Sequence, residues 1–250
     1  MSATDSAGVP WEGRSFSHAA SSNDDGSAPP KLLEALKRFR SHELGEAEVV
    51  DEVRESRLLI PLVARLGDSE TSMAGHLVDK TQELSIVTVT APDGRSVVPA
   101  FTSVAAMGRW NLDARPITAD GPRVALAAAS EGTDLVVIDA TSETEFAIRR
   151  PALWAMAQSE PWQPSYLDEE VLAEFMAAAD GEDAIVAIQL APGDPDARLM
   201  GPELLVQLSL VDGLDERALA ELLGRAQERW SSSELIALRV DSMTVKLARA

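Results

Sequence analysis

Residues able to do chemistry collect in three places along this 250-residue chain. Thr102 and Ser103 follow an apolar run ending at Phe101 and precede a short stretch ending at Trp110. A hydroxyl between a strand and a helix can hold an anion together with the helix N-terminus, or simply cap that helix; the pattern favours the cap. Arg149 and Arg150 stand before Pro151, placed to meet a carboxylate partner or ligand, or to form surface ion pairs. The acidic clusters are Asp180, Glu182 and Asp183, and then Asp194 and Asp196. They read as solvated turns, because neither supplies the twelve patterned residues of a calcium loop.

Around these groups the usual machinery is missing. The sequence has no phosphate-binding G-x-x-x-x-G-K-[ST], no G-x-G-x-x-G after a strand and no G-x-S-x-G elbow. His18, His42 and His76 show no metal-ligand spacing. His76 would serve as a base only if folding brought a nucleophile such as Ser103 within hydrogen-bond reach. With no cysteine, thiolate metal sites, disulfides and a cysteine nucleophile are excluded, and a reducing compartment is expected. No catalytic residue, metal or cofactor is therefore assigned.

The net charge of −19 disfavours nucleic acid and anionic lipid as partners, and its largest share falls in residues 166–250. No apolar run approaches the ~20 residues of a membrane span, and the N-terminus lacks a secretory core. A soluble cytoplasmic protein is expected. Aromatics make up only 4% of the chain, so Val, Leu, Ile and Ala must fill the core.

The elements that must position these residues read as α+β, in two small mixed sheet-and-helix units behind a disordered tail. Residues 1–29 are rich in Ser, Gly, Asp and Ala, and form the tail; Trp11 and Phe16 are its large apolar groups and candidate docking residues. The first unit covers 30–165. Helices are predicted at 30–42 and 46–56, then an edge strand at 57–65, on account of Pro61. A polar loop at 67–80 follows. Strands at 84–90 and 96–101 flank the turn Pro92-Asp93-Gly94. Helix 103–110, a connection starting at Pro116, helix 123–130, strands 135–139 and 144–149, and helix 152–158 complete it. Pro161-Trp162-Gln163-Pro164 marks the boundary. The second unit, 166–250, reads as helix 168–179, strands 184–190 and 204–210, a helix from Asp215 to near Trp230, and strands 235–240 and 243–247.

The runs VPAFTSVAAMGRW, LVVID and FAIRRPALWAMAQSEPW resemble the bacterial SseB family, in particular the actinobacterial form with N-terminal and C-terminal SseB-type domains. The likeness covers residues 30–165 well and 166–250 more loosely. The resemblance implies an association with enhanced serine sensitivity and brings no catalytic residues. The expected function is a non-enzymatic adaptor or regulator linked to serine or sulfur amino-acid metabolism, with a protein partner. A small-molecule sensor is an alternative. Its ligand would sit near Phe101, Thr102, Ser103, Trp110, Arg149, Arg150 and Trp154, or in the cleft between the units. An unrecognised enzyme is a third. The adaptor predicts an exposed apolar patch, the sensor a closed polar pocket, and the enzyme a coupled titratable pair in a cleft.

Overall fold

A computed structural model describes residues 24–65 and 83–249. The fold is α+β. It opens with α1 (Pro30–Arg40) and α2 (Glu46–Arg54). Pro30 suits the first turn of α1, where no intrahelical N–H is required. Leu32, Leu36 and Phe39 on α1, and Val49, Val50 and Val53 on α2, are buried. The tail assignment needs correction at its end, because residues 24–29 lie against the body. The Gly26 carbonyl accepts the Val104 N–H at 3.0 Å, and Arg57 reaches the Asp24 carboxylate at 2.9 Å and the Ser27 carbonyl. Composition cannot register an arginine thirty residues away.

Strand β1 (Arg57–Arg65) is central rather than an edge. It pairs antiparallel with β2 (Glu83–Ile86) on one side and β5 (Arg115–Asp120) on the other. Pro61 is tolerated because it lies opposite Pro116, and pairing with β2 begins only at Leu62. The predicted strand 84–90 is two strands. β2 joins β1, whereas β3 (Val89–Thr90) turns into a second sheet through the predicted hairpin. In that turn Gly94 adopts φ +86°, and its N–H reaches the Ala91 carbonyl at 2.9 Å. The connection expected at Pro116 is strand β5.

The second sheet has the order β3-β4-β6-β7, with β4 (Ser96–Ala100) parallel to β6 (Val136–Ile138) and β6 antiparallel to β7 (Phe146–Ile148). Paired N–H and C=O groups of Leu59 and Phe101 tie it to β1. Helix α3 (Val104–Trp110) follows β4, α4 (Gly121–Ser130) follows β5 and α5 (Arg150–Ala157) follows β7. α1, α2, α4 and α5 bury one face of this sheet in a continuous apolar core, where the rings of Phe39 and Phe146 meet edge to face at 5.0 Å.

Past a 3₁₀ turn (Ser165–Leu167), α6 (Glu169–Ala178) leads to β8 (Ile185–Pro192) and β9 (Leu204–Leu210). Next come α7 (Glu216–Ser232), α8 (Glu234–Arg239) and β10 (Met243–Arg249). The strand predicted at 235–240 is thus helix α8, started by the Ser233 hydroxyl accepting the Ile236 N–H at 3.3 Å. The sheet order is β10-β9-β8, β10 running parallel to β9. A separate core forms around Phe175 and Trp230, whose rings lie 5.2 Å apart.

The loop between β8 and β9, residues 193–203, leaves its own core and enters the first one. The Ala147 N–H of β7 donates to the Ala197 carbonyl at 2.7 Å. Leu199, 1% exposed, packs with Val97, Leu135, Val137 and Ala147 on the far face of the second sheet. Ala197 joins the main core beneath it. Gly193 permits the loop to close: a Cβ there would stand 2.3 Å from the Pro202 carbonyl oxygen.

Candidate docking groove and the junction beside it

Two arginines at the start of α5 divide the work of joining the units. Arg149, 6% exposed, donates to Asp194 at 2.7 Å, to Asp241 at 3.1 Å, to the Gly201 carbonyl at 2.8 Å and to the Ser242 hydroxyl at 3.3 Å. Asp241 also takes Arg95 at 3.0 Å. Burial works against its charge, but Arg95 and Arg149 hold its carboxyl below the usual carboxylate range. Arg150 donates to the Ala237 and Val240 carbonyls at 2.8 and 2.7 Å, satisfying the end of α8, and lies 5.2 Å from the centre of the Trp154 ring.

Beside this junction α5, the segment 158–163 and α8 enclose an open hollow of about 530 Å³. Pro151, Trp154, Trp162 and Leu238 line it; Trp154 and Leu238 are 40% and 53% exposed. Its charged lining groups are Glu160 and the Asp168–Arg239 pair at 2.8 Å. Asp168 also caps α6 through the Glu170 and Val171 N–H groups. Its burial is outweighed by Arg239 and these N–H groups, so its carboxyl stays below the usual range. No hydroxyl or imidazole is among the lining residues. The lining is thus apolar and aromatic around one free carboxylate and one ion pair.

On the inner side of the junction, Tyr166 in the 3₁₀ turn donates its hydroxyl to Glu46 at 3.2 Å, and Ser165 donates to Glu203 at 2.7 Å. Glu203 further accepts the Asp241 N–H at 2.6 Å. Burial pushes Glu46 up to about 7; the Tyr166 hydrogen bond opposes the rise and nearby Glu203 adds to it. Burial raises Glu203 as well.

The candidate residues drawn from the sequence do not surround one pocket. Phe101 is fully buried, its ring 5.3 Å from that of Trp110. The Thr102 N–H and hydroxyl both bind the Asp139 carboxylate at 2.8 Å, and Ser103 caps α3 by accepting the Ala106 N–H at 3.1 Å. Of these, only Thr102 ties together the ends of the parallel strands β4 and β6, through Asp139. Arg149 and Arg150 belong to the junction, and Trp154 to the groove. Asp194, grouped with solvated turns, is 7% exposed and is held by Arg149 and the Leu199 N–H at 2.7 Å. Trp11, Phe16, His18 and His76 lie outside the described residues. Nothing in the local sequence marks Glu46, Tyr166, Glu203 or Asp241 as partners, and reading α8 as a strand concealed Leu238. Helical spacing of Leu235 and Leu238 behind Ser233 was the available signal.

The fold defines first a class, an α+β protein of two cores joined by a reaching loop. Residues 32–155 match the family model described as SseB protein N-terminal domain, and through this segment the chain belongs to the SseB family. Residues 156–250 lie outside that match. No curated protein and no solved structure matches the chain. Among the described residues, no helix is long and apolar enough to cross a membrane, and no group of three or more His, Cys, Asp or Glu side chains is arranged to hold a metal ion.

Proposed function

We propose that the chain is a non-catalytic adaptor that docks a segment of a partner protein in the groove beside Trp154, in a role linked to serine or sulfur amino-acid metabolism. The metabolic link rests on the family resemblance alone. The observation that carries the docking reading is the exposed apolar surface of Trp154 and Leu238 above Pro151 and Trp162. Exposed aromatic groups backed by proline are typical anchor points for peptides. The occupant is a short segment with one apolar anchor and basic flanks. Its charge is inferred from Glu160, which has no ion-pair partner among the described residues, and from the net charge of −19. A small ligand would need polar groups converging on it. Here Asp168 and Arg239 already bind each other.

The test is selection of a displayed peptide library on the full-length protein, with Trp154→Ala as counter-selection. Enriched peptides with an aromatic or leucine anchor beside Lys or Arg, binding Trp154→Ala at least tenfold more weakly, are the expected result. Failure to enrich, or enrichment that ignores Trp154, overturns the docking reading.

A further inference from the structure

Each sheet ends in strands whose outer N–H and C=O groups have to be paired, covered or protected. Most of the edges here are managed. β2 and β3 are only four and two residues long, and β5 carries Pro116. On β7 the Ala147 N–H is taken by the reaching loop. β8 has an irregular register between Ile185 and Ala187 and ends at Pro192. β10 is different. It is seven residues long, with no proline, and its register with β9 is unbroken. It carries Lys246 and Arg249 but no acidic residue, although residues 166–250 hold the largest share of the negative charge.

The groups that β10 presents follow from its parallel pairing. The Leu204 N–H donates to the Ser242 carbonyl at 3.0 Å. Along a strand, successive residues turn their backbone groups to opposite sides. Thr244, Lys246 and Ala248 therefore bond β9, whereas Met243, Val245 and Leu247 turn their N–H and C=O groups outward. Among the described residues, nothing bonds to these outward groups. The same three side chains lie on the helix-covered face, where Met243 and Val245 pack against the second core and Leu247 is 41% exposed. We propose that β10 is the seat of a symmetric dimer: a second copy of this chain adds its own β10 antiparallel, about a two-fold axis at Val245, to give a six-stranded sheet.

A second copy is the occupant because the edge is self-complementary. About an axis at Val245, the outward groups of Met243 meet those of Leu247 of the second copy, and Val245 meets its own counterpart. Met243 and Leu247 then pack side by side, which covers the exposed leucine. Thr244 falls opposite Lys246 of the second copy, so no like charges face each other. Moving the axis to Lys246 sets that lysine against itself, which is unfavourable. The outer edges of the dimer are the two β8 strands, where the irregular register and Pro192 resist further addition, so the assembly closes at two. The net charge of −19 on each copy opposes their approach. Salt screens that repulsion and leaves strand pairing intact. Association therefore strengthens with salt, the reverse of what a basic strand-forming partner shows.

The experiment is sedimentation velocity of the full chain at up to about 200 μM, in about 0.05 and 0.5 M NaCl. A dimer is expected, with a dissociation constant about threefold or more lower at the higher salt. Val245→Pro removes an outward N–H and spares the bonds to β9, and is expected to be a folded monomer. If it does not fold, Leu247→Lys replaces it and is expected to weaken the dimer about tenfold or more. The register is read by disulfides, since the chain has no cysteine of its own. Thr244→Cys and Lys246→Cys proteins are expected to cross-link on oxidation when mixed, and neither alone. Across the Val245 axis the unlike positions face each other with about 4.5 Å between Cα atoms, and like positions lie about 8 Å apart, beyond disulfide reach. A monomer throughout overturns the dimer, whether the amides of 243–249 exchange freely with deuterium or are protected by another segment of the chain. A dimer that survives Val245→Pro or Leu247→Lys, or that weakens with salt, overturns β10 as its seat. Cross-linking of either variant alone overturns the axis at Val245. None of these readouts involves the docking groove.

Discussion

The two sheets deal with their faces in opposite ways. In the first unit, strands β6 and β7 are buried along their whole length, and β4 at four of its five residues. Val98, Val136 and Ile148 face the helices, while Val97, Val137 and Ala147 face the other way, toward Leu199. In the second unit only β9 alternates cleanly between buried and half-buried residues, and the flanking strands β8 and β10 have no buried residue. A sheet covered on both faces requires continuous apolar runs, and one covered on a single face requires alternation. The units are therefore not equivalent partners. The second carries an open sheet of its own, yet contributes part of the cover for the first.

The contrast is broken most severely at Arg149. Replacing it with methionine leaves Asp194 and Asp241 buried without their shared cation, and should cost about 3–5 kcal/mol in urea unfolding. A loss below about 1 kcal/mol would mean that the loop contacts alone hold the units together. Next is Leu199→Ala, expected to cost about 2–4 kcal/mol and to raise amide exchange in β6 and β7, far away in sequence. Val186→Ala on β8, where Val186 is 56% exposed, is its control and should stay within about 0.5 kcal/mol. Equal effects at the two positions would erase the distinction between the sheets. Thr102→Val should cost about 1–3 kcal/mol, because Asp139 loses a buried donor while the apolar packing is kept. That change acts within the first unit, so exchange in β8 and β10 should remain as in the wild type.

Much of this was legible in sequence where local chemistry decides. β1 and β9 occupy the spans their apolar runs indicate, and Pro92-Asp93-Gly94 makes its turn. Ser103 and Asp215 cap their helices. Errors arose where a partner decides. Pro61 is carried by a central strand because Pro116 lies opposite it, which no local rule can foresee. Residues 84–90 read as one β-branched run, yet the run divides because two different strands claim its halves. The junction was illegible for the same reason. Arg149 and Asp194 are 45 residues apart, Arg149 and Asp241 are 92 apart, and an aspartate in a Gly-Asp-Pro turn looks solvated until an arginine is found upon it. The groove was half legible: Trp154 and Trp162 stood out as aromatic groups, but their surroundings depend on how α8 is placed.

The reaching loop also sets an order on synthesis. β7 ends at Ile148, but the leucine that covers its sheet is residue 199, some fifty residues later. A nascent chain emerging from the ribosome therefore presents the first sheet with one apolar face bare until the second unit has begun to appear. Chaperone contact and misassociation should concentrate in that interval, and a chain cut short at the end of the family-matched segment would stay in it permanently.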